Sequence, residues 1–158
     1  MTTLPIAQVL HRKGHWQGAP SGRISCDYEG RFLRRKRLQT DAGEPFVIDL
    51  EQTTSLDPGD ALELGDGRLI EVVAAPEPLL QVTGPDLARL AWHIGNRHTP
   101  CRIEADRLLI RDDPVIGHML EHLGATLERV TEPFTPEGGA YGHGRTHSHE
   151  HGATAHEH

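Results

Sequence analysis

The strongest constraint on this chain is the break at Ala74-Ala75-Pro76-Glu77-Pro78. Two prolines with small and charged neighbours interrupt the pattern and mark a domain boundary. The kind of element changes across it. From Arg23 to Val73 the chain runs in short alternating stretches separated by turn residues. Ile24, Cys26 and Tyr28 alternate before Glu29-Gly30, and Phe46, Ile48 and Leu50 alternate after Asp41-Ala42-Gly43-Glu44-Pro45. Leu62 and Leu64 meet Gly65-Asp66-Gly67, a hairpin signal, before Leu69, Ile70, Val72 and Val73. Several short strands at this spacing predict a small all-β, barrel-like domain over residues 1–75.

Beyond the break, Leu79–Val82 reads as a strand and Thr83-Gly84-Pro85-Asp86 as a helix start. Leu87, Leu90, Ala91 and Ile94 then fall at helical spacing. Pro100 drives Thr99 out of helical geometry, so this helix ends by His98. Cys101–Glu104 and Leu108–Ile110 are two strands around a turn, and Asp112-Asp113-Pro114 opens a second helix that Gly124 caps. Thr126–Val130 is the last strand. The order strand, helix, strand, strand, helix, strand predicts a ferredoxin-like βαββαβ domain over residues 76–135. The fold class is therefore α+β, completed by a disordered tail over 136–158, which carries too few apolar residues to offset its ordering entropy.

Composition narrows the function classes. The 158 residues carry a net charge of −7, which argues against a general affinity for nucleic-acid phosphates. Arg31 and Arg34–Arg37 form a lone basic cluster without interleaved aromatics, and it reads as a solvated strand face or a protein-docking patch. The N-terminus shows no signal-peptide pattern, and no apolar run is long enough to cross a membrane. Cys26 and Cys101, the two cysteines, are far apart and read as reduced thiols. The expectation is a soluble cytoplasmic protein.

Histidine is the unusual residue. Of twelve, His143, His147, His149, His151, His156 and His158 crowd the last stretch, interleaved with Gly, Ser, Thr, Ala and Glu. That composition reads as a metal-binding tail rather than an unbroken tag. Imidazole suits Ni, Cu and Zn, whereas Mg and Ca prefer oxygen. His98 lies four residues after Ile94 and so continues the helix's apolar stripe; it reads either as a capping and packing residue or as a ligand. One imidazole is too few for a stable site, but a two-fold dimer would bring it near its own copy.

Gly95-Asn96-Arg97-His98-Thr99-Pro100 resembles the G-N-R-H-x-P signature of the urease accessory protein UreE family. Asp113-Pro114-Val115-Ile116-Gly117-His118-Met119-Leu120, Pro133–Tyr141 and the His-rich C-terminus resemble it too. The resemblance is strong from Leu79 onward and weaker before it. It implies a homodimeric nickel metallochaperone that delivers Ni(II), with Zn(II) or Cu(II) as competitors, to apo-urease alongside other accessory proteins, including a GTPase. His98 would be the interfacial ligand, paired with its copy, and His143, His147, His149 or His151 would supply the rest. Some members carry extra histidines just before the second helix; here those positions read Arg111-Asp112-Asp113-Pro114, so no peripheral site is expected. The alternative is a nickel store acting mainly through the tail.

No arrangement for nucleophilic catalysis, phosphate cradling or paired-carboxylate chemistry is visible, so no enzyme is expected. His118 and His122 have the i, i+4 spacing of metal ligands but lack a third ligand and the glutamate of H-E-x-x-H, and they read as solvated. That absence also tells against a zinc hydrolase, which needs an open position and a general base. His11, His15 and His93 show no partner pattern and read as surface residues. Cys101 reads as a small buried strand residue.

Overall fold

Alternation in the first half of the chain produces a mixed six-stranded sheet. A computed structural model describes residues 3–138, and the chain divides into two compact units, the first ending at Pro76 and the second beginning at Glu77. The first unit contains β1 (Ile6–His11), β2 (Gly22–Cys26), β3 (Phe32–Gln39), β4 (Pro45–Ser55), β5 (Ala61–Leu64) and β6 (Leu69–Ala74). Their spatial order is β2-β6-β5-β1-β4-β3. The β1–β4 and β2–β6 pairs are parallel and the others antiparallel. Phe46, Ile48 and Leu50 turn inward from β4 and share one core with Leu62, Ile70 and Val72. Just beyond β3, Asp41 N–H donates to Arg23 O at 2.8 Å, and Ser25 Oγ donates to Asp41 Oδ2 at 2.8 Å. These bonds draw the two outer strands together and curl the sheet into a half-barrel.

Two strands escape the alternation rule. β1 lies near the middle of the sheet, between β4 and β5, yet a register shift between Ala7 and Val9 breaks its period of two. Ala7 is buried while Ile6 and Val9 stay exposed. β3 is an edge strand whose Arg34, Arg35, Lys36 and Arg37 are all exposed, so it has little apolar pattern to read. Arg31 does not belong to that solvated face: it is 2% exposed, and its Nη1 donates to Cys26 O at 3.0 Å. The fully buried Asp60 carboxylate is likewise matched, accepting from Arg12 Nη1 at 2.8 Å, Lys13 N at 2.9 Å and Asp57 N at 2.8 Å.

The second unit runs β7 (Pro76–Thr83), α1 (Leu87–Asn96), β8 (Arg102–Ile103), β9 (Leu108–Arg111), α2 (Pro114–His122) and β10 (Thr126–Pro133). The sheet order β10-β7-β9-β8 is the ferredoxin-like one. Leu80, Val82, Leu108 and Ile110 from one sheet face pack with Leu90 and Ile94 of α1 and with Ile116 and Leu120 of α2. Both helices therefore cover the same face. Burying each such side chain contributes about 1.5–3 kcal/mol, which holds short helices that would be marginal alone. The tip of the β8–β9 hairpin is tied to β10 by Arg107, whose two terminal nitrogens each reach Glu132 at 2.8 Å while Nε donates to Glu104 at 2.8 Å. The guanidinium holds both carboxyls below their ordinary range. Among the described residues, no helix is long and apolar enough to cross a membrane.

Candidate metal centre

The geometry around His98 begins with how α1 starts and stops. Asp86 caps the N-terminus, its carboxylate accepting from Arg89 N at 3.1 Å. At the other end Pro100 forbids continuation, and the chain closes on itself. His98 N–H donates to Gly95 O at 2.9 Å and Thr99 N–H to Ile94 O at 3.3 Å, which satisfies carbonyls the helix end would leave open. This closure requires a left-handed residue one step beyond the cap, and His98 supplies it with φ 56°. His98 is the one non-glycine residue with positive φ among those described. Glycine is the usual occupant of that conformation, although histidine tolerates it better than most side chains.

His98 therefore does not extend the buried stripe, as its distance from Ile94 predicts. The helix has ended at Asn96, the chain has turned, and His98 is exposed while Ile94 is buried. It lines an open groove of about 450 Å³ with Arg97, Thr99 and Pro100 on one side and Arg111–Pro114 on the other. Of the carboxylates there, Asp113 is engaged as the N-cap of α2, accepting from Val115 N at 2.9 Å and Ile116 N at 3.2 Å. Among the described residues, the ion pair of Asp112 is a long contact of 3.8 Å to Arg129. Among the described residues His98 is the one imidazole lining this groove, and no cluster of three His, Cys, Asp or Glu side chains suited to a metal exists among them. His143, His147, His149 and His151 lie outside the described residues.

Cys101 follows three residues later but is a poor ligand. It is buried, and burial pushes its thiol up to about 11, so the thiolate needed for coordination is scarce at neutral pH. Its backbone has another use: Glu137 N–H donates to Cys101 O at 2.8 Å. Phe134, just after β10, is fully buried. The last described stretch is therefore fastened beside the segment that follows His98. Periodicity does not reveal this anchor, because a single aromatic between prolines has none.

The other histidines divide. His11 is half-buried with Nε2 2.7 Å from Glu63 Oε1, and His93 packs edge-on against Trp92 at 5.0 Å between ring centroids. Neither is the unpartnered surface residue its sequence context predicts. His15 is exposed. His118 and His122 are exposed on α2, with ring centroids 6.0 Å apart.

Comparison with known proteins agrees along nearly the whole chain. Residues 5–75 match the model of the UreE urease accessory protein N-terminal domain, and residues 77–158 match that of the C-terminal domain. The chain is 63% identical over 148 residues to the urease accessory protein UreE of Ruegeria pomeroyi, covering 94% of this chain and 99% of the relative. It is 62% identical over 152 residues to that of Cereibacter sphaeroides, covering 96% and 83%. It is 61% identical over 152 residues to that of Rhodobacter capsulatus, covering 96% of each. With both of its units matched in order, the chain belongs to the UreE urease accessory protein family and is not itself a urease.

Proposed function

We propose that this chain is a nickel metallochaperone that carries Ni(II) to apo-urease while the urease metal centre is assembled. His98 is the fixed ligand, His98 of a second copy is its partner across a two-fold dimer, and His143, His147, His149 or His151 completes the shell. The observation that carries this reading is the pairing of an exposed left-handed His98 with the Glu137–Cys101 bond. That bond hangs the tail three residues from His98. His143 follows Glu137 by six residues, so a covalent span of at most about 20 Å separates the first tail histidine from this anchor. Trp92 at 60% and Val115 at 69% exposure leave apolar surface on the same unit for a dimer contact.

The chemistry follows from an incomplete site. Imidazole selects late first-row ions over Mg and Ca, while Zn(II) and Cu(II) compete with Ni(II). Protons compete for the same lone pairs, so affinity falls as the pH is lowered. A shell closed by a tail pays ordering entropy on capture and regains it on release, which lets the ion pass by ligand exchange to the urease apoprotein and its accessory partners.

Calorimetric titration of the full chain with Ni(II), with the oligomeric state recorded, tests the reading. His98→Ala is expected to weaken the tightest site by at least about a hundredfold. Deleting residues 142–158 is expected to lower the number of ions bound while leaving binding that depends on His98. If His98→Ala leaves the tightest site unchanged and the tail deletion abolishes all binding, the protein is a store acting through its tail.

A further inference from the structure

His118 and His122 make no hydrogen bond or ion pair with any other described residue, and both are exposed on α2. Spacing alone leaves them as solvated histidines. The structure adds that their rings lie close together, with centroids 6.0 Å apart and planes tilted by 33°. With metal–nitrogen bonds of about 2.1 Å, two rings on one ion stand roughly 4.5–6 Å apart. The observed separation lies at the upper end of that range. We propose that His118 and His122 form a second, exchangeable site for a late first-row divalent ion on the outer face of α2.

Two features of the fold favour the site. The first is preorganisation. Ile116 and Leu120 fix α2 in the core, Asp113 caps its start, and the turn at Gly124 closes its end. The two imidazoles are therefore carried on a backbone whose ordering cost folding has already met. The second is charge. His118 lines an open groove of about 370 Å³ with Asp112, Glu121 and Glu128, opposed by Arg129. Three carboxylates against one guanidinium raise the local concentration of a divalent cation. This groove shares Asp112 and Pro114 with the groove of His98. Two imidazoles with water filling the remaining positions make a weaker, faster-exchanging site than a closed shell, suited to an ion in transit next to the tighter position.

This inference goes beyond the role assigned to His98 and stands on the geometry of α2. It is tested on the full chain by following histidine ring signals in NMR as Ni(II) is added, with assignments from His118→Gln and His122→Gln. The expected result is that both rings broaden over the same Ni(II) range. In His122→Gln, the Ni(II) concentration needed to broaden His118 should rise at least about tenfold, because chelation is lost. An unchanged His118 response in His122→Gln overturns the proposal, since the ring then senses an ion held elsewhere. Repeating the titration in His98→Ala separates the two sites. Paired broadening that persists there supports the second site even where the reading of His98 fails, and broadening that vanishes there overturns it.

Discussion

The two helices of the second unit end in the same way with different residues. Past α2, Gly124 N–H donates to Glu121 O and Ala125 N–H to Leu120 O, both at 3.0 Å. Past α1, His98 and Thr99 make the equivalent pair of bonds. The left-handed position is Gly124 in one and His98 in the other, and the angles differ. Gly124 sits at φ 92°, beyond the comfortable range of an L residue, whereas His98 sits at 56°, close to the left-handed minimum near ~57°. The same capping job has been given to a residue that costs nothing there and to one that stores strain of about 1 kcal/mol. The α1 cap therefore presents a side chain where the α2 cap presents none.

Removing the anchor attacks the comparison from outside and carries the largest expected effect. Phe134→Ala deletes a fully buried aromatic, and a loss of about 3–5 kcal/mol in stability is expected. The denaturant midpoint of the full chain measures it. If Phe134→Ala costs under about 1 kcal/mol, the last described residues are not held by this side chain and the tail is not fastened near His98. A backbone change comes next. A Cβ at Gly124 meets nothing within 4 Å, so Gly124→Ala reports the cost of φ alone, about 1–2 kcal/mol. His98→Ala keeps the left-handed angle that an L residue already adopts, and its stability is expected to change by less than about 0.5 kcal/mol. Equal losses at the two positions would show that the caps are not different in kind.

Much of this second unit was legible in the sequence, for identifiable reasons. The βαββαβ order followed from helical spacing over Leu87–Ile94 and from the turn signals at Asp113-Pro114 and Gly124. In the first unit, β4 was legible through Phe46, Ile48 and Leu50, while β1 and β3 were not, since a bulge and a run of cations erase their alternation. The site was half legible. His98 was marked by its motif and legible as a capping residue, but its exposure was not, because a left-handed turn is normally announced by glycine and here it is not. The Glu137–Cys101 bond joins residues 36 positions apart through backbone atoms, which no side-chain pattern records.

The sharpest test of the comparison replaces the unusual cap with the usual one. In His98→Gly, φ 56° becomes an angle the residue adopts without strain, and both backbone bonds can remain. A net gain of about 0.5 kcal/mol in stability is expected, the relief of about 1 kcal/mol of strain less about 0.5 kcal/mol for the greater freedom of glycine in the unfolded state. For a unit of this size that corresponds to a rise of roughly 2–4 °C in Tm. The same substitution removes the imidazole, so the tightest Ni(II) site should weaken as far as in His98→Ala. Stability and metal affinity would then move in opposite directions at one residue, while Gly124→Ala lowers stability and leaves the ion untouched. A His98→Gly protein no more stable than the parent would mean that the α1 cap is relaxed around histidine, and the strain argument would fall even if His98 remains a ligand.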